Sequence, residues 1–112
     1  VWIMDDASKR QEGMMFLRDG DVGPQEGMLF AFPDSAPRSF WMRNTLIPLD
    51  IAYLDDKGKV INVVRGEPQD LAQLPSDRPA KWVIETEAGE AGKLGLKPGA
   101  IVEGVTAIPG KP

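Results

Sequence analysis

The chain has 112 residues, 42% of them hydrophobic and 27% charged, and 17 acidic against 13 basic side chains give a net charge of -4. One soluble domain of this length buries roughly 65% of its unfolded surface, and an acidic chain without a basic cluster offers little to nucleic acid or an anionic membrane. With no cysteine and no histidine, the sequence excludes Ser-His and Cys-His nucleophiles, an imidazole base, zinc fingers and thiolate clusters.

Proton transfer would therefore fall to Asp, Glu, Lys or Tyr53, while the lack of cysteine fits any redox compartment. No apolar run approaches the ~20 residues of a membrane-spanning helix, so no membrane insertion is expected. Val1 in place of an initiator methionine suggests removal of an upstream segment, by a signal peptidase or by trimming. Twelve glycines and ten prolines favour short strands joined by tight connections.

In chain order, Val1 to Met4 reads as a short strand and Asp6 as an N-cap. Ala7 to Glu12, with Met14, Met15 and Leu17 on its apolar side, predicts a helix of two to three turns ending near Arg18, weakened by Gly13. Asp19 to Pro24 is a loop. Gly27 to Phe32 is apolar on both faces, as in a central strand, and Pro33 is expected to close it. Ser39 to Met42 is a strand leading into a polar turn. Leu49, Ile51 and Tyr53 alternate onto one face of the next strand, and Asp50, Ala52 and Leu54 point the other way.

Asp55-Asp56-Lys57-Gly58 is a hairpin turn that lacks the acidic ligand set of a calcium loop, and Lys59 to Val64 returns as its partner strand. Gly66 to Pro79 reads as a long loop tacked down by Leu71 and Leu74. Lys81 to Glu87 is a strand with Trp82, Ile84 and Thr86 opposing Val83, Glu85 and Glu87. A helical turn over Ala88 to Leu94 is stopped by Gly95. A tight turn, Leu96 to Ala100, then leads into a strand over Ile101 to Val105, and residues 106–112 form a flexible tail. The expected fold is mainly β (α+β): a single domain over residues 1–112, a small antiparallel barrel or sandwich with one short N-terminal helix and a helical turn near residues 88–94.

Taken in order, Gly13-Met14-Met15, Gly27-Met28-Leu29-Phe30, Phe40-Trp41-Met42-Arg43-Asn44-Thr45, Pro48-Leu49-Asp50, Val60, and Val83-Ile84-Glu85 with Gly89 resemble the domain of unknown function 192 family (uncharacterised protein family 0127) over nearly the whole chain. The resemblance implies a compact, mainly β fold in bacterial proteins that often carry a secretion signal or lipoprotein segment, and no established reaction. It thus implies a periplasmic or extracellular setting, with a cytoplasmic one still open. In the family's commoner pattern the first motif reads Gly-Leu-Met with an arginine two or three residues on. Here Gly13-Met14-Met15-Phe16-Leu17-Arg18 sets that charge at the later position, and Leu74-Pro75-Ser76 only loosely matches a proline and tyrosine before the Trp82 strand.

The run from Ser39 to Asp50 is the segment that reads as a site, because it crowds large apolar side chains against an amide, a hydroxyl and a carboxylate. Trp41 and Met42 would floor a pocket and Asn44, Thr45 and Asp50 would hydrogen-bond a ligand, with Glu85 near them. The same residues also suit a core, a self-satisfied turn and a paired carboxylate, and Glu85 equally suits the N-terminus of the helical turn near Gly89. The leading expectation is a monomeric ligand-binding or accessory module for a small polar ligand, a carbohydrate among the candidates, with no cofactor, metal or catalytic residue assigned. The alternatives are a hydrolase with Asp50 and Glu85 as acid and base, copper binding through Met14, Met15, Met28 and Met42 against their use as core packing, and a structural or protein-docking role.

Overall fold

A strand that must bury both of its faces carries apolar residues at every position, and Leu49–Leu54 is buried from end to end even though its fifty-position residue is an aspartate. That strand lies inside the sheet. The computed structural model describes residues 2–18, 20–23 and 26–112. Val1 of the expected first strand, and Asp19 and Pro24 of the expected loop, lie outside the described residues. The elements are β1 (Trp2–Met4), α1 (Ala7–Glu12), β2 (Gly27–Ala36), β3 (Ser39–Phe40), β4 (Leu49–Leu54), β5 (Val60–Gly66), β6 (Leu74–Pro75), β7 (Ala80–Glu87) and α2 (Glu90–Lys93), followed by a 3-10 turn at Val105–Ala107.

The chain is mainly β with two short helices. Five strands form one sheet in the order β1-β2-β7-β4-β5, and β3 pairs with β6 beside it. Every pair is antiparallel except β1 with β2, which is parallel. The sheet is open and not closed into a barrel, because β1 and β5 stand at opposite edges. The α+β description holds, and the barrel form of the expectation gives way to this open sheet.

Two apolar clusters cover its faces. Met28, Phe30, Ile51, Tyr53 and Val83 belong to one, joined by Met14, Met42 and Ile47; Leu29, Ala31, Ala52, Leu54 and Trp82 belong to the other, joined by Val105. The strand-by-strand parity is the one expected from the alternation of apolar residues. Burying a large apolar side chain contributes roughly 1.5–3 kcal/mol, so these two clusters dominate the stability of the domain.

Several element ends differ from expectation for local reasons. Asp6 caps α1 by accepting from the Lys9 amide at 2.9 Å, but the helix stops at Gly13, whose φ of 48° turns the chain away before Met14. β2 continues through Pro33 to Ala36, and its register with β7 breaks between Ala31 and Ala36, where a proline with no N–H to donate costs the ladder nothing. Leu74 packs on the first cluster as expected, whereas Leu71 is exposed. Ile101 makes only an isolated bridge with Lys59, and the expected strand to Val105 is replaced by the 3-10 turn.

The C-terminal segment, expected to be a flexible tail, makes specific contacts. The Trp82 indole N–H donates to the Ile108 carbonyl at 2.9 Å, and the Lys111 amide donates to the Asp5 carbonyl at 2.7 Å. Between them Gly110 lies against the β2 backbone so closely that a Cβ would sit 2.4 Å from the Ala31 oxygen. Gly110→Ala is expected to unseat this segment and cost about 1–2 kcal/mol, read as a lower denaturation midpoint together with a shift in Trp82 fluorescence.

Candidate functional site

One face of the sheet is left partly uncovered between two local structures, and the opening is a cleft of about 600 Å³. On one side stand Arg10, Gln11 and Glu12 of α1 with Gly13, Met14 and Met15; on the other stand β3 and the turn after it, from Ser39 to Thr45. Phe30, Phe32 and Glu85 rise from β2 and β7. Gly13 permits the first side to approach, since a Cβ there would lie 3.2 Å from the Phe30 ring.

The second side is shaped by its backbone. Met42 is fully buried and its amide donates to the Asp70 carbonyl at 2.8 Å, which pins the turn to the body. Asn44 takes a left-handed φ of 55°; its N–H donates to Gln69 Oε1 at 3.0 Å and its carbonyl accepts from Phe16 N–H at 2.8 Å. Asn tolerates that conformation better than most residues, so its presence here has a backbone cause. The Thr45 hydroxyl donates to the Arg43 carbonyl at 3.3 Å. With Met42 turned inward, neighbouring Trp41 turns outward, 41% exposed, with the Arg43 guanidinium 5.6 Å from its ring centre.

Glu85 lies at the centre of the sheet. Its register neighbours are Met28 on β2 and Ile51 on β4, and the next row is Phe30, Val83 and Tyr53. Phe40 packs edge-on against both Phe30 and Tyr53, with ring centres 5.2 and 6.1 Å apart. The residue is 4% exposed and no described residue donates a hydrogen bond to its carboxyl, which meets the cleft; the fully enclosed orphan among the described residues is instead Thr86 Oγ1. Burial pushes its carboxyl up from 4.5 to about 8, so the neutral acid predominates near neutrality. Tyr53 donates its hydroxyl to the Leu74 carbonyl, and burial, reinforced by the Glu85 charge, holds its phenol above the ordinary range.

The structure brings Trp41, Asn44, Thr45 and Glu85 to this cleft and leaves Met42 and Asp50 out of it. Met42 belongs to the core, against Gly66, and Met14 and Met28 pack in the same cluster. Asp50 faces the opposite side of the sheet, opposite Thr86 in register, while Glu85 is opposite Ile51. Its carboxylate accepts from Arg65 Nε at 2.7 Å, from the Gly89 amide at 2.8 Å and from the Ala91 amide at 3.3 Å. Two carboxylates facing one cleft, as an acid–base hydrolase of this pair requires, are therefore not assembled. The start of α2, a place considered for Glu85, is occupied by Asp50.

Arg10, Gln11, Glu12, Phe30 and Phe32 of the cleft lining are not among the expected site residues, Met14 and Met15 are expected only as copper ligands, and Arg43 only as part of the Ser39 to Asp50 run. The available signal was Gly13 inside Gly13-Met14-Met15, a glycine in an otherwise helical run and so a marker of close approach.

A family model described as Uncharacterized ACR, DUF192, matches residues 1–104. Among solved structures, a provisionally named transcription regulator from Sinorhizobium meliloti 1021 is 34% identical with a TM-score of 0.80, the match covering 87% of this chain and 74% of that one. A protein of unknown function from Novosphingobium aromaticivorans DSM 12444 is 38% identical with a TM-score of 0.75, covering 87% and 69%. No curated protein matches the chain.

Proposed function

This chain belongs to the DUF192 family, and from that premise we propose that it is a binding module that seats a small polar molecule in the cleft over Glu85. The observation that carries this reading is a buried carboxyl that opens on a cleft and has no partner among the described residues. A desolvated acid lining a concavity is where function concentrates. Trp41 offers an exposed indole face for stacking, while the Asn44 amide and Thr45 contribute polar edges. The reading is of a non-catalytic monomer, and the family resemblance supports an exported, periplasmic or extracellular setting for it. A net charge of -4 does not favour nucleic-acid binding by this chain.

A thermal-shift screen of small polar compounds tests the proposal, because a ligand that prefers the folded state raises the transition. Trp41→Ala and Asn44→Gly are expected to abolish the shift while moving the unliganded midpoint by less than about 1 kcal/mol in stability, glycine being chosen because it accepts the left-handed turn. Loss of the fold in both variants, or a shift that survives them, would make the segment scaffold.

A further inference from the structure

The sheet carries two buried acids on opposite faces, and the chain treats them differently. Asp50, 6% exposed, is given an arginine and two backbone amides. Glu85, 4% exposed, receives no hydrogen bond from a described residue and meets the cleft instead. The groups around it are accounted for. From β2 and β4 it meets Met28 and Ile51, and the nearby Tyr53 hydroxyl is donated to Leu74. Arg10 of α1 donates to the Ala31 carbonyl at 2.9 Å with its guanidinium 5.0 Å from the Phe32 ring centre, and Arg43 lies over Trp41. Glu12 is the remaining charged residue of the cleft lining.

A carboxyl enclosed by aromatic walls and lacking an internal cation is suited to an ammonium group. The carboxylate accepts its N–H donors, and ring faces attract its charge. Phe32 already carries the guanidinium groups of Arg38 at 3.8 Å and Arg10 at 5.0 Å, and Trp41 that of Arg43 at 5.6 Å, so the rings lining the cleft attract cations. Arg43 is exposed on the cleft wall and sets a positive charge against whatever the ligand presents outward. Building on the cleft reading, we propose that the ligand is a small zwitterion, its primary ammonium seated on Glu85 and its anionic group facing Arg43. Because Glu85 is held protonated up to a pH of about 8, seating an already charged ammonium forms the ion pair by releasing the Glu85 proton to solvent.

Titration calorimetry of the whole chain with γ-aminobutyrate, butylamine and butyrate, in two buffers of different ionisation enthalpy, tests this. The expected order is γ-aminobutyrate tightest, butylamine weaker and butyrate undetectable, with close to one proton released near neutral pH and affinity rising roughly tenfold per pH unit below the Glu85 pKa. Glu85→Gln should remove the proton release and the pH slope. Arg43→Ala, an exposed change, should reduce γ-aminobutyrate to the affinity of butylamine. Proton uptake, pH-independent binding or a preference for butyrate would overturn the ammonium assignment and leave the cleft reading standing. If none of the three probes binds, the assignment also falls. The cleft reading falls with it only if, in addition, the thermal-shift screen yields no compound sensitive to Trp41→Ala.

Discussion

Raising the pH from about 5 to about 9 is expected to weaken the unliganded fold, and Glu85→Gln is expected to abolish most of the weakening. The folded carboxyl is raised from 4.5 to about 8 by burial alone. Between those values the folded state keeps a proton that the unfolded chain gives up, so the stability from this group is complete below 4.5 and is lost as pH rises through about 8. Within that window the folding equilibrium shifts by roughly tenfold per pH unit, on the order of a thousandfold across it, and flattens above. Tyr53 is shifted in the same direction from a higher starting value and affects only the alkaline end. Urea midpoints measured across the range for both proteins check this. Parallel falls in the two would mean that water or a rearranged side chain solvates Glu85, and the acid at the cleft floor would lose its special status.

The parts of this fold legible in the sequence are those whose causes are local. The β4–β5 hairpin follows from alternation and from a turn ending at Gly58, whose φ of 80° is what glycine supplies. β7 and the face of each of its residues follow from the same two-residue period. The facts that define the site are long-range. Whether Asp50 and Glu85 share a face depends on the register of β4 against β7, strands separated by a hairpin and a long connection, and a shift of one residue would reverse the answer. The sequence places an acid beside the Gly89 turn without saying which one, and the register assigns Asp50. The cleft's α1 side was obscured because Ala7 to Leu17 has a helical pattern, which a left-handed glycine at position 13 interrupts. Ile101 to Val105 has strand-like residues, but its pairing goes no further than one bridge, Ile101 with Lys59, and the Val102 amide on the Gly58 carbonyl.

Asp50→Ala is expected to lower stability by roughly 2–4 kcal/mol and leave ligand affinity in the Glu85 cleft unchanged per folded molecule. The ion pair itself supplies little of this loss, because the Arg65 side chain is 53% exposed and rehydrates when its partner is removed. The larger cost lies in the two amides. Gly89 and Ala91 begin α2, whose first N–H groups have no acceptor within the helix, and Ala91 is buried, so its amide cannot turn to water. Asp50→Asn keeps an acceptor oxygen for these amides but not the charge, and should fall between wild type and Asp50→Ala. Denaturation midpoints order the three proteins, and calorimetry on the folded fraction reads the cleft. If Asp50→Ala instead folded normally and lost the ligand, the carboxylate would belong to the binding site, and the opposition of the two faces would no longer explain their separate roles.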